Sequence, residues 1–234
     1  MNNNEKYEQT LAALKTAYIL NYDVEGNVLD LGCGDGTIAE GLMSDPSLFG
    51  RTKRYVGIDI NEVAIEKVKS RKIPNTRWLA MDALEFMKTT KMKFQTVLAL
   101  NFIEHIEDAP EMLQAIRSIM HPGGQIIITV PNALSLHKRI RQMVDHEYSI
   151  GELTEYDKKI GHHQSFTHMS LAMELMLSGF IPSRFTGIVL KPFTSEQMAG
   201  LDQDMLSAFV SLGTQFFDLC GTILMIAQPI PENA

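Results

Sequence analysis

A doubly wound α/β fold, with a mostly parallel seven-stranded sheet and helices on both faces, follows from three features of the 234-residue chain. Short, continuously apolar segments alternate with helical ones, the pattern of parallel strands covered on both faces. The first such strand runs straight into a glycine turn, GCGDG at Gly32–Gly36, and in open α/β sheets ligands bind at such strand ends. The length suits one large domain, residues 1–234, with little to spare for a second.

The elements follow in order. Tyr7, Leu11, Leu14 and Tyr18 recur at helical spacing and predict a leading helix. Val28–Leu31 is a fully apolar strand apart from one acid, and Thr37–Met43 is the helix after the turn. Arg54–Ile60 is the second strand, followed by a helix over Glu62–Lys72 that Pro74 stops. Thr76–Asp82 and Phe94–Asn101 are the third and fourth strands. Asp108 and Pro110 open a helix whose Met112, Leu113, Ile116, Ile119 and Met120 share one face. HPGG at His121–Gly124 breaks it, and Gln125–Val130 is a fifth strand rich in β-branched residues. A helix near His168–Ser178, capped by Gly179, a strand around Phe185–Leu190, a helix around Asp202–Leu212 and a final strand near Thr222–Ala227 complete the alternation. Between them Pro131–His168 is polar, partly helical and long for a connection, which predicts a lid or acceptor-binding excursion.

Composition narrows the function. The net charge is −7 and there is no long Lys/Arg block, so no nucleic-acid partner is expected. KSRK (Lys69–Lys72) and HKRIR (His137–Arg141) are read as solvated helix faces. No membrane-length apolar run or signal-peptide core is present, and Cys33 and Cys220 have neither CxxC nor metal-ligand spacing, so a cytoplasmic setting is the expectation.

The turn itself discriminates between ligands. A nucleoside-triphosphate loop would end in GK[ST], and no lysine is present. The dinucleotide pattern GxGxxG fails because Thr37 stands where its third glycine belongs. What remains is GxGxG with Asp30 before it and Asp59 at the end of the second strand. An acid at that strand end can accept both hydroxyls of an adenosine ribose. Acids around the loop suit a cationic ligand such as S-adenosylmethionine, which carries a sulfonium and an ammonium.

VLDLGCGDG, VGIDI, AMDALEF, VLALNFIEHIED and IMHPGGQIIITVPN, in this order and spacing, resemble the motifs of class I S-adenosylmethionine-dependent methyltransferases of the small-molecule type, ubiquinone-biosynthesis-methyltransferase-like. PNALSLHKR, LTEYD, GHHQSF, LKPF and LCGTILMIAQP more loosely resemble a subgroup encoded among bacterial polysaccharide and natural-product genes. The resemblance implies S-adenosylmethionine as cofactor and S-adenosylhomocysteine as product. It implies Gly32, Cys33 and Gly34 along the methionine part, with Asp30 near its ammonium and Leu100 and Asn101 beneath. Asp59 would hold the ribose, Ile60 would lie against the adenine, and Asp82 would accept from the adenine amino group with Ala83 beside it. ALNFIE is not the [DN]PP[FYW] of base-modifying relatives, and Asn101 is no acid where metal-dependent catechol methyltransferases supply a ligand. Metal-free in-line displacement is therefore expected.

A hydroxyl or ammonium acceptor needs a proton acceptor, and histidine has the matching pKa. His137, His146, His162, His163 and His168 fall in the excursion. His162 and His163 directly follow Gly161, so one can point inward while the other faces solvent; they are the first candidates for the base, with His137 and His105 next. Capping or lining a loop is the plain alternative for any one of them. A metal cluster is set aside because no carboxylate or cysteine stands at ligand spacing. The expected function is methyl transfer to an oxygen or nitrogen of a small polar molecule, a sugar or a biosynthetic intermediate, by a monomer or homodimer without a membrane partner. The alternatives are a non-catalytic S-adenosylmethionine-binding protein, a protein or peptide methyltransferase, and a nicotinamide-dependent oxidoreductase, which Thr37 and the lack of YxxxK disfavour.

Overall fold

The computed structural model describes residues 3–45, 48 and 50–231. A leading helix α1 (Asn3–Leu20) precedes β1 (Gly26–Leu31), α2 (Thr37–Ser44), β2 (Thr52–Asp59), α3 (Glu62–Ser70), β3 (Thr76–Ala80), α4 (Ala83–Thr89), β4 (Phe94–Leu100) and a 3₁₀ turn at Ile103–His105. Then come α5 (Ala109–Ile119), β5 (Met120–Pro131), α6 (Leu136–Val144), α7 (Glu155–Lys159), α8 (His168–Leu177), β6 (Phe180–Leu190), α9 (Ser195–Met198), α10 (Gln203–Gln215) and β7 (Cys220–Pro229). The seven strands form one sheet in the order β3-β2-β1-β4-β5-β7-β6. Strands β1 to β5 pair in parallel, and β7 runs antiparallel to both of its neighbours.

Alternation along β1 shows how the sheet divides the core. Leu29 and Leu31 pack with Phe86, Met112, Leu113 and Ile116 on one face. Val28 packs with Tyr7, Leu11, Tyr55, Trp78 and Val210 on the other. Asp30 shares the Val28 face by the strand's period of two, so a carboxylate sits under α1. From β1 the chain builds outward through β2 and β3, then returns to β4 on the opposite side of β1. The gap at the carboxyl ends of β1 and β4 is the switch point where such sheets hold ligands.

Several boundaries differ from expectation, each for a local reason. Helix α4 was not foreseen: Asp82 leaves the strand and caps it, its carboxylate accepting from the Glu85 N–H at 3.0 Å. β2 ends at Asp59, leaving Ile60 outside the strand and 78% exposed. β6 begins at Phe180, earlier than Phe185, because it pairs with β7 back to Pro229, and the short α9 was also unforeseen. Asp108 caps α5 through the Glu111 N–H, as expected. Among the described residues no helix is long and apolar enough to cross a membrane.

Candidate active site

The glycine turn is shaped by backbone angles that residues with a Cβ avoid. Gly32, Gly34 and Gly36 have φ of +68°, +51° and +80°. The N–H groups of Gly32 and Cys33 both donate to the Ile58 carbonyl, at 2.9 and 3.0 Å, which ties the turn to the end of β2. Asp59 completes the tie, its two carboxylate oxygens accepting from the N–H of Gly34 at 2.9 Å and of Asn61 at 2.8 Å. A Cβ on Gly34 would meet nothing within 4 Å, so the outer side of the turn is open.

Asp30 is buried below the turn and accepts a short hydrogen bond from the Tyr55 hydroxyl. Burial pushes its pKa up to about 7; the Tyr55 bond opposes that rise and the nearby Asp59 charge adds to it. Burial, with the Asp30 and Asp59 charges, also raises the Cys33 thiol far above its usual range. Asp30, Gly32, Cys33, Leu100 and Asn101 line a cavity of about 190 Å³ roofed by Ala12, Lys15, Thr16 and Ile19 of α1. Asn101 closes β4 with φ +49°, its N–H donating to the Thr129 carbonyl at 2.8 Å. Ile60, Asp82 and Ala83 lie outside this cavity, at the ends of β2 and β3. Asp82 is exposed, and Ala83 is buried as the first residue of α4.

A second cavity, of about 690 Å³, opens beside the first and shares Lys15, Asn101 and Thr222 with it. Glu104, His105, His137, Lys138, Arg141, Asp157 and His162 all face this polar chamber. HKRIR is thus not a plain solvated face: Lys138 and Arg141 line the chamber, and burial lowers the Lys138 pKa.

The excursion that builds the chamber is closed at its base. Asn132 is buried, donates to the carbonyls of Asp218 and Cys220 at 3.1 and 2.9 Å, and accepts from the Leu134 N–H. Ala133 donates to Phe166 at 2.8 Å, joining the two ends of the excursion. Thr167 caps α8 in a reciprocal capping box with Ser170.

The candidate histidines separate. His162, after Gly161 at φ +86°, turns into the chamber, whereas His163 is exposed, is not among the residues lining the chamber, and has its Nδ1 3.9 Å from Glu107. His137 lines the chamber, and burial, followed by the Lys191 and Lys138 charges, lowers its pKa to about 4. His105 and His162 meet edge to face at 4.7 Å between centroids. His146 is exposed, and His168 packs against Phe185 and Phe217. That places His168 on an apolar groove of about 690 Å³ between α8 and β6, lined otherwise by residues such as Met169, Met176 and Phe180, with no carboxylate or lysine among the described residues that line it. Sequence reasoning missed Glu104, which is only 1% exposed and whose two carboxylate oxygens have no hydrogen-bond partner. Burial raises its pKa to about 8. Its neighbour in the EH pair was the available signal.

Sheet order and glycine turn together define a Rossmann-like α/β class whose ligand edge lies at the carboxyl ends of the strands. The family described as "Methyltransferase domain" matches residues 4–181, and the chain belongs to it. By family it carries a methyltransferase domain, and its sheet order is that of a Rossmann-like α/β fold. It is 26% identical over 108 residues to a "Ubiquinone biosynthesis O-methyltransferase" of Aeromonas salmonicida, covering 45% of this chain and 43% of that protein. A protein of the same description from Acinetobacter baumannii is 22% identical over 171 residues, 71% of this chain and 68% of the relative. The chain thus spans less than half the length of the first curated relatives it matches. In three dimensions it is similar to a "SAM dependent methyltransferase from Archaeoglobus fulgidus", with a TM-score of 0.61 at 21% identity over 95% of this chain and 94% of the other; at that identity the likeness concerns the fold.

Proposed function

We propose that this chain transfers the methyl group of S-adenosylmethionine to an oxygen or nitrogen of a small polar molecule held in the 690 Å³ chamber. The observation that carries this reading is the wall of Lys15, Asn101 and Thr222 shared by the glycine-turn cavity and the chamber. Where the two cavities share these residues they adjoin, so a sulfonium in the first can present its methyl directly to a nucleophile in the second, the alignment an in-line displacement requires. Asp59 receives the ribose hydroxyls, because each carboxylate oxygen can accept a further bond beyond its backbone donor. Ile60, an exposed apolar residue beside that acid, packs on the adenine. Asp82 takes the adenine amino group on the oxygen its cap leaves open, with Ala83 beside it. Gly32, Cys33 and Gly34 run along the methionine part, Leu100 and Asn101 lie beneath it, and Asp30 faces the ammonium, a cation that favours the ionised acid.

The curated relatives are named for O-methyl transfer, which favours a hydroxyl acceptor. Its proton passes to one of His105, His137 and His162. Burial and the Lys191 and Lys138 charges hold the His137 pKa near 4, which keeps its ring neutral at pH 7 and also makes it a weaker base than an ordinary imidazole.

The test is calorimetry with S-adenosylmethionine and with NAD⁺, followed by incubation with methyl-labelled cofactor and a panel of hydroxylated small molecules. Binding of the first cofactor alone, with label passing to a small acceptor and S-adenosylhomocysteine released, is the expected result. Binding of NAD⁺ in its place would overturn the proposal, as would transfer confined to peptides.

A further inference from the structure

We propose that Glu104, His105 and His162 bind a divalent first-row transition-metal ion in the chamber. One ligand atom from each of the three lies within 4.8 Å of the other two. A metal was set aside because Asn101 is no acid and because no carboxylate or cysteine stood at ligand spacing from the histidines; the fold supplies the carboxylate, because the 3₁₀ turn stacks Glu104 and His105 against the end of the excursion.

Three observations point to a ligand there. Glu104 is 1% exposed, with both carboxylate oxygens unpartnered, and a buried acid without a hydrogen bond is costly unless a cation meets it. Glu104's own backbone amide and the Lys15 charge from α1 act on the carboxylate, yet neither oxygen has a hydrogen-bond partner of good geometry. Each histidine is also oriented from behind. The His105 Nδ1 lies 3.1 Å from the Gly161 carbonyl, which can only accept, so one ring nitrogen carries the proton and the other keeps its lone pair. The His162 Nδ1 stands 3.6 Å from Asp157. Carbonyl and carboxylate partners of this kind typically hold metal-ligating imidazoles. Finally, the backbone pins the cluster, the His163 N–H donating to the Glu104 carbonyl at 2.8 Å and the Gln164 side chain to the Ile106 carbonyl at 2.7 Å.

Ligand atoms about 2.1 Å from a zinc-like ion stand about 3.4 Å apart in tetrahedral geometry, so binding requires the three atoms, now within 4.8 Å of one another, to draw together. Two imidazoles and one carboxylate suit zinc, iron(II), cobalt or manganese better than calcium. Three protein ligands leave coordination positions open, as in catalytic and unlike structural sites, and all three residues line the chamber. The role of the ion rests on the methyl-transfer reading: it holds the acceptor hydroxyl beside the shared wall. The O–H bond then breaks with its proton going to His137, the oxygen–carbon bond forms, and the carbon–sulfur pair stays on sulfur.

The experiment is titration of EDTA-treated, dialysed full-length protein with Co²⁺, read by visible absorption, and with Zn²⁺, read by calorimetry. S-adenosylhomocysteine affinity and circular dichroism are measured on the same samples. One saturable site is expected, weakened at least tenfold in Glu104→Gln and in His162→Ala but not in the exposed control His163→Ala. Should Glu104→Gln fail to fold, His162→Ala, at a partly exposed position, carries the test. No saturable binding, or binding unchanged in both ligand variants, overturns the proposal. Loss of metal binding with S-adenosylhomocysteine binding intact separates its failure from that of the methyl-transfer reading.

Discussion

Asp59 has two tasks at once, since its carboxylate holds the amides of Gly34 and Asn61 and is assigned the ribose. Asp59→Ala is expected to weaken S-adenosylmethionine binding at least tenfold, the loss of about 1.4 kcal/mol or more. Calorimetry beside circular dichroism checks it; an unchanged dissociation constant contradicts the ribose assignment. Asp30 makes a prediction about pH. Its folded pKa, near 7, lies above the ordinary value of 3.8. The unfolded chain therefore ionises first, and stability falls as pH rises from about 4 to 7. The shift of roughly three units corresponds to about 4 kcal/mol at most. Asp30→Asn should thus raise the Tm of the ligand-free protein at pH 8 and leave it nearly unchanged at pH 4; an equal shift at both pH values contradicts the account. The strand-end acids were legible in the sequence because a strand's end follows from its hydrophobic run. Asp82's role as a cap was not, because it depends on a helix of only seven residues. Nor was the burial of Glu104, because spacing along a chain does not say which acid a distant loop will cover. The divergence of His162 and His163 was legible, since Gly161 announces a turn that sends neighbouring side chains apart.

At the scale of elements, the excursion behaves as one unit because its base is tied. Asn132 supplies two donors and one acceptor to that tie. Asn132→Ala leaves buried carbonyls less satisfied and is expected to cost about 1–3 kcal/mol. Hydrogen exchange should quicken across residues 133–166 while β1 and β4 keep their protection; equal acceleration throughout would show that the excursion is not a separate unit. The excursion was recognisable as a break in the alternation, but its inner face was not. Helix α6 buries no residue completely, so no apolar stripe marks which side of HKRIR turns inward. The strands were legible for the opposite reason: β1 and β4 bury most of their positions, and β5 buries Ile126–Val130 without a break.

Across the whole molecule, the sheet order places the glycine turn, Asp59, Asp82, Asn101 and Asn132 at one edge, the carboxyl ends of β1 to β5. Helix α1 covers the glycine-turn cavity and the excursion covers the chamber, and among the described residues the two spaces share Lys15, Asn101 and Thr222. Order along the chain predicted the parallel half of this arrangement. The antiparallel insertion of β7 between β5 and β6 depends on long-range pairing, which no local pattern encodes. A crystal structure with S-adenosylhomocysteine bound tests the central claim most directly. The ribose is predicted on Asp59, with the sulfur directed at Lys15, Asn101 and Thr222 and thus into the polar chamber. A sulfur facing the apolar groove of His168 and Phe185, or an adenosine remote from Asp59, would contradict it.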